Sequence, residues 1–180
     1  MGKIASTMRH DETMVTVAGA PVRCYRAGAG PGPTLVLLHG GGLDSAQAAW
    51  APVWPALVPH ARLFAPDLPG HGGSPLGPTT PTVEGYSTWL LAFLDTCGIG
   101  RATIAGRSLG AAIALRTALD EPGRVEQLAM LTAAAISDRE LAGVTSPVLL
   151  LPGYQLPRDA PERVAQELIA FLARDSADDQ

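Results

Sequence analysis

The chain of 180 residues is short of the side chains on which several large function classes depend. Lys3 is its only lysine, which excludes an internal Schiff-base lysine and the lysine of a phosphate-binding P-loop. Its two cysteines, Cys24 and Cys97, stand far apart in the sequence, in neither a metal nor a redox spacing. A disulfide framework is therefore not expected, no metal or cofactor is implied, and both thiols read as small buried apolar groups. Charged residues make up 17% of the chain and its formal net charge is −4, which argues against a nucleic-acid-binding surface. No apolar run approaches the length of a membrane span. Residues 1–13 are polar, with no apolar segment behind Lys3 and Arg9, which predicts neither a leader nor a membrane anchor and hence a cytoplasmic location. Histidine is the most consequential shortage: His10, His39, His60 and His71 are the whole set, and none lies beyond position 71.

What is present is apolar material in short, regular pieces. Hydrophobic residues make up 47% of the chain, enough for the core of one domain over residues 1–180, with a polar segment at 1–13 and a frayed acidic tail at 175–180. Met14–Val17 and Val22–Tyr25 read as an opening hairpin around a turn at Gly19-Ala20-Pro21. Leu35–Leu38, Arg62–Ala65, Ala102–Ala105, Val125–Leu131 and Val148–Leu151 read as further strands. Between them, Val83–Cys97 carries apolar residues at three- and four-residue steps, and Leu109–Glu121 reads as a helix stopped by Pro122 and Gly123. Pro161 starts a helix with Val164, Leu168, Phe171 and Leu172 on one face, and Ser137–Ala142 suggests a short helix. This alternation predicts an α/β fold, with a mostly parallel central sheet of about seven strands flanked by helices. The loop Gly28–Pro33 looks superficially like a dinucleotide fingerprint, but Pro31 and Pro33 forbid the helix that must follow one.

The sharpest motif is Gly106-Arg107-Ser108-Leu109-Gly110, a G-x-S-x-G between a strand and a helix. That context suits a nucleophile on a tight turn: flanking residues without bulk let the chain reverse, and the serine stands near the positive end of the following helix. A tight turn that merely contains a serine is the plain alternative. Two other stretches accompany it. Leu35-Val36-Leu37-Leu38-His39-Gly40-Gly41-Gly42 is a strand running into a glycine-rich loop, and Asp67-Leu68-Pro69-Gly70-His71-Gly72-Gly73-Ser74 has the form D-x-x-G-x-G-x-S.

These three stretches, in this order and at these separations, resemble the α/β-hydrolase family over residues from about Val15 to Leu131. The resemblance implies a reduced α/β-hydrolase fold without a cap, with Ser108 as nucleophile. It implies an oxyanion hole built from the backbone N–H groups of Gly41 and Leu109, supported by Gly40, Gly42, Gly106 and Gly110. His39 matches the motif histidine that props the glycine loop, and the loop carrying Asp67 and His71 matches a structural one. Arg107 departs from the residues more familiar beside the serine; it either shapes the pocket or pairs with a carboxylate.

The family order is serine, then acid, then histidine, and here no histidine follows Ser108. Thr145–Leu151 resembles the acid-bearing strand, yet Leu151-Pro152-Gly153 also resembles the end of the last strand before the histidine loop. Pro161–Leu172 resembles the terminal helix, which leaves Gln155 nearest the place of the missing base. Either one strand–helix unit is missing internally or the chain stops early. Asp138 and Asp159 are the acid candidates, each more readily explained as a solvated loop charge.

Three functions stay open at this point. One is a hydrolase acting through Ser108 on a small-molecule ester or related acyl substrate. Another is a silent fold member serving in binding. The third is lyase- or cyclase-like chemistry without an acyl-enzyme. Trp50, Trp54 and Trp89 are pocket-wall candidates, with core packing the plainer role. An exposed sheet edge predicts a homodimer.

Overall fold

The computed structural model describes residues 11–28, 32–131, 137–151 and 160–174. Seven strands form a single sheet: β1 (Asp11–Val17), β2 (Ala20–Ala27), β3 (Thr34–Leu38), β4 (Arg62–Pro66), β5 (Ala102–Arg107), β6 (Val125–Leu131) and β7 (Val148–Leu151). Their spatial order is β1-β2-β4-β3-β5-β6-β7. The β1–β2 and β2–β4 pairs are antiparallel, and every other pair is parallel. The expected α/β architecture is therefore present, and residues 132–147 between β6 and β7 hold no cap domain among the described residues.

The pattern along β3 explains why the sheet needs helices on both sides. Leu35 and Leu37 join one apolar cluster with Trp50, Trp54 and Phe171, while Val36 and Leu38 join the other with Trp89, Phe93 and Ile113. A strand with both faces buried carries no polar alternation, which is why it reads as a continuous apolar run. Helices α3 (Val83–Thr96) and α4 (Leu109–Asp120) cover one face. Helices α1 (Ala46–Trp50), α2 (Trp54–Leu57) and α6 (Pro161–Leu172) cover the other. A short α5 (Asp138–Ala142) follows β6, closed by a capping box in which Ser137 and Glu140 satisfy each other's backbone N–H groups. All three tryptophans are buried core residues.

Two details depart from expectation. The hairpin turns at Ala18-Gly19, both at positive φ (49° and 83°), with Val17 paired to Ala20, rather than at Gly19-Ala20-Pro21. A type I′ turn, one of the two-residue turns that match the strand twist, needs positive φ at both positions, and Pro21, locked at negative φ, belongs to the strand instead. Cys97 is half-buried at the end of α3, not a full core residue like Cys24, and accepts a 3.6 Å hydrogen bond from Arg26 Nη2. Burial pushes the Cys24 thiol up to about 12, so it stays a thiol at neutral pH.

Candidate active site

The site forms where the strand order reverses. β3 lies beside both β4 and β5, and Leu38 pairs with Gly106, so the loops leaving β3 and β5 emerge side by side. Such a switch point opens a crevice outside the carboxyl ends of the strands.

Ser108 stands on the turn from β5 into α4 with φ 49° and ψ −113°. This conformation costs a non-glycine residue on the order of 1–3 kcal/mol and persists only where the surroundings impose it. They do so here at three points. The Ser108 N–H donates to Leu131 O at the end of β6 (3.1 Å). A Cβ on Gly106 would overlap the Gly110 carbonyl, and one on Gly110 would overlap the Leu38 carbonyl and stand 2.6 Å from His39 O. Both positions therefore demand glycine because backbone fills the space. The Ser108 side chain is exposed and does not cap the helix it begins, so its hydroxyl is not consumed by the fold. Ala111 and Ala112 N–H groups turn back to Ser108 O. The Leu109 N–H, at the first helical position, has no acceptor within α4.

The glycine loop after β3 is held against this turn. A Cβ on Gly40 would lie 3.7 Å from Ser108 Cβ, and one on Gly41 would lie 3.5 Å from Leu109 Cδ2. The two expected oxyanion residues, Gly41 and Leu109, are thus neighbours. His39 is fully buried and fixes the loop's orientation. Its Nε2 accepts from the Leu68 N–H at 2.9 Å, which leaves the proton on Nδ1 to donate to Gly40 O at 2.6 Å. Gly40 C=O and Gly41 N–H belong to one trans peptide and point in opposite directions, so anchoring the carbonyl also aims the Gly41 N–H. Burial holds the His39 imidazole below its ordinary range, and both its nitrogens are engaged, so it is no general base. Gly42 is exposed at φ 73°, and Leu43 beside it is fully exposed.

The D-x-x-G-x-G-x-S stretch is a lock. Asp67 is fully buried and accepts from Ala46 N–H (2.8 Å), Gly73 N–H (2.7 Å) and Arg23 Nε (2.7 Å). Ser74 Oγ accepts from the Arg23 N–H at 3.0 Å. One carboxylate thereby joins β2, the start of α1 and the loop after β4. His71 in this loop lies edge-on to His39, with ring centroids 5.3 Å apart, and its Nδ1 lies 3.1 Å from Pro69 O.

The remaining expectations resolve unevenly. Asp138 is an exposed first-turn residue of α5. Asp159 and Gln155 lie outside the described residues, as does His10. Among the described residues no hydrogen bond reaches the Ser108 hydroxyl and no cluster suits a metal ion. Arg107 pairs with Asp44 (Nη1–Oδ2, 2.5 Å), a partner that sequence reasoning missed because an aspartate ending a glycine loop has no spacing signature. A cavity of about 410 Å³ between the hairpin turn, the loop 78–80 and α3 shares no residue with this site.

Fold and site together set a strand-to-helix turn with an exposed serine against a glycine loop. A family model described as the alpha/beta hydrolase fold matches residues 33–176, and the chain belongs to that family. It is 36% identical over 123 residues to a pimeloyl-[acyl-carrier protein] methyl ester esterase of Legionella pneumophila, covering 67% of this chain and 47% of that one. It is 35% identical over 127 residues to the 2-hydroxy-6-oxo-2,4-heptadienoate hydrolase of Pseudomonas putida, covering 69% and 45%. The chain thus spans less than half the length of these relatives. Among solved structures, carboxylesterase CesB of Bacillus subtilis superposes with a TM-score of 0.83 at 18% identity, covering 92% of each chain.

Proposed function

We propose that this protein is a capless serine hydrolase that takes an ester or related acyl substrate at Ser108. The observation that carries the reading is the strained, exposed Ser108, whose hydroxyl is left free by the helix it starts, beside the paired Gly41 and Leu109. The relatives named above are hydrolases of different substrates, which supports the reaction class and names no substrate for this chain.

The steps follow from the atoms present. Ser108 Oγ bonds the acyl carbon and gives its proton to water or hydroxide, since no imidazole among the described residues is bonded to its hydroxyl. The resulting oxyanion receives hydrogen bonds from the Gly41 and Leu109 N–H groups, aided by the positive end of α4. Collapse breaks the acyl–oxygen bond, the leaving alkoxide takes a proton from water, and a second water releases the acid. Without a full triad, an oxyanion hole and substrate binding still give roughly 10³–10⁴-fold over water.

A second reading is favoured by one observation, the engagement of both nitrogens of His39, the histidine of the glycine loop: a fold member that binds without turnover. A fluorophosphonate probe separates the two. Ser108 should be phosphonylated, its Oγ–P bond replacing P–F, with labelling abolished in Ser108→Ala. An unlabelled but folded wild type would sink the hydrolase reading.

A further inference from the structure

The residue before the nucleophile is tied to the glycine loop. Asp44 Oδ2 accepts both the Gly40 N–H (2.9 Å) and Arg107 Nη1, while Asp44 Oδ1 accepts the Ser45 N–H (3.0 Å) at the start of α1. Only 13% of the Arg107 side chain and 12% of the Asp44 side chain are exposed, so water screens the pair weakly. The Gly40 residue is therefore gripped at both ends, its N–H by Asp44 and its C=O by His39. Arg107 is covalently next to Ser108 and reaches over to hold the carboxylate that holds Gly40. A Cβ on Gly40 would meet Asp44 Oδ2 at 3.1 Å, Arg107 Nη1 at 3.5 Å and Ser108 Cβ at 3.7 Å, so Gly40 packs closely against all three residues. Arg107 Nε is buried without a partner, so the arginine makes this contact through Nη1 alone.

We propose that Arg107 and Asp44 form a clasp that sets the Gly41 N–H against Ser108, making both of them positioning residues for the oxyanion hole. The inference rests on the Ser108 reading and adds to it: the variable position of the G-x-S-x-G turn governs the spacing between its two halves. Neither side chain is required to touch substrate. Both act on where one backbone donor stands when charge develops on the acyl oxygen.

The test compares wild type with Arg107→Met, Asp44→Asn, the double variant and Arg107→Lys. Loss of a single oxyanion donor costs about 10²–10³-fold in kcat, and a displaced donor should cost about 10- to 100-fold. On a short p-nitrophenyl ester, kcat should fall by that factor in either single variant while KM moves less than about threefold. The double variant should be no worse than the singles, because one interaction is lost in each. Arg107→Lys should recover most of the rate, since a single cationic donor replaces a single-atom contact. Amide hydrogen exchange at residues 40–43 should quicken in Arg107→Met and Asp44→Asn and return to wild-type values in Arg107→Lys. An unchanged kcat, additive losses, or unchanged exchange at 40–43 would overturn the clasp. Exchange needs no turnover, so an unlabelled wild type defeats the Ser108 reading while the clasp is still judged. If Arg107→Met does not fold, Asp44→Asn and Arg107→Lys carry the comparison.

Discussion

At the scale of single residues, the decisive groups are Ser108, whose hydroxyl caps no helix, and His39 and Asp44, whose polar atoms hold the glycine loop. Ser108 and His39 were legible because a glycine-flanked serine and a histidine ending an apolar strand are local patterns. Asp44 was not, since its partners Gly40 and Arg107 lie 4 and 63 residues away and the longer contact exists only in the folded chain. Gln127 was equally silent: buried in β6, it accepts from Thr103 Oγ1 (3.3 Å) and donates to Phe171 O (3.0 Å), joining β5 to α6. His39 gives a pH prediction. Burial lowers its folded pKa below the ordinary 6.5, so the unfolded chain takes up the proton first. Its contribution to stability is full above pH 6.5 and is lost as pH falls below that value toward the folded pKa. Urea unfolding at pH 7.5 and 5.5 should therefore show wild type losing more stability than His39→Asn, by up to about 1.4 kcal/mol per pH unit. Equal losses in both proteins would contradict the neutral, Nδ1-protonated imidazole.

At the scale of elements, β3 was readable because double burial leaves an unbroken apolar run, and the other parallel strands because each is a short, mainly apolar stretch set between helical or turn segments. Helices α1 and α2 were not, because five and four residues are too few to display a helical period. The hairpin was found and its turn misplaced by one residue, because Ala18 carries none of the turn chemistry its φ of 49° requires. That mismatch is a removable cost. Ala18→Asn would give the Asn-Gly pair that this turn favours, and should raise the urea unfolding free energy by about 1 kcal/mol. Unchanged or reduced stability would mean that the turn is not formed as described.

At the scale of the molecule, the strand order β4-β3-β5 has no local sequence signal, because which strand a crossover reaches is settled by packing. Yet that order alone brings residues 39–44 to residues 106–109. The same scale governs the proton. With both His39 nitrogens engaged and no described imidazole bonded to the Ser108 hydroxyl, phosphonylation of Ser108 should climb steadily with pH. It should lack the inflection between about pH 5 and 8 that an imidazole base imposes. His71→Gln should leave the rate within about twofold. An inflection removed by that substitution would instead make His71 the base.

The bond from the Ser108 N–H to Leu131 O has a mechanical consequence. Leu131 is the last residue of β6, the point where the chain leaves the sheet. A load applied at Leu131 reaches the Ser108 backbone through that carbonyl, beside the ladder that pairs Leu131 with Arg107. Whatever sequence is spliced in at that junction, long or short, therefore acts as a lever on the tension of the serine turn.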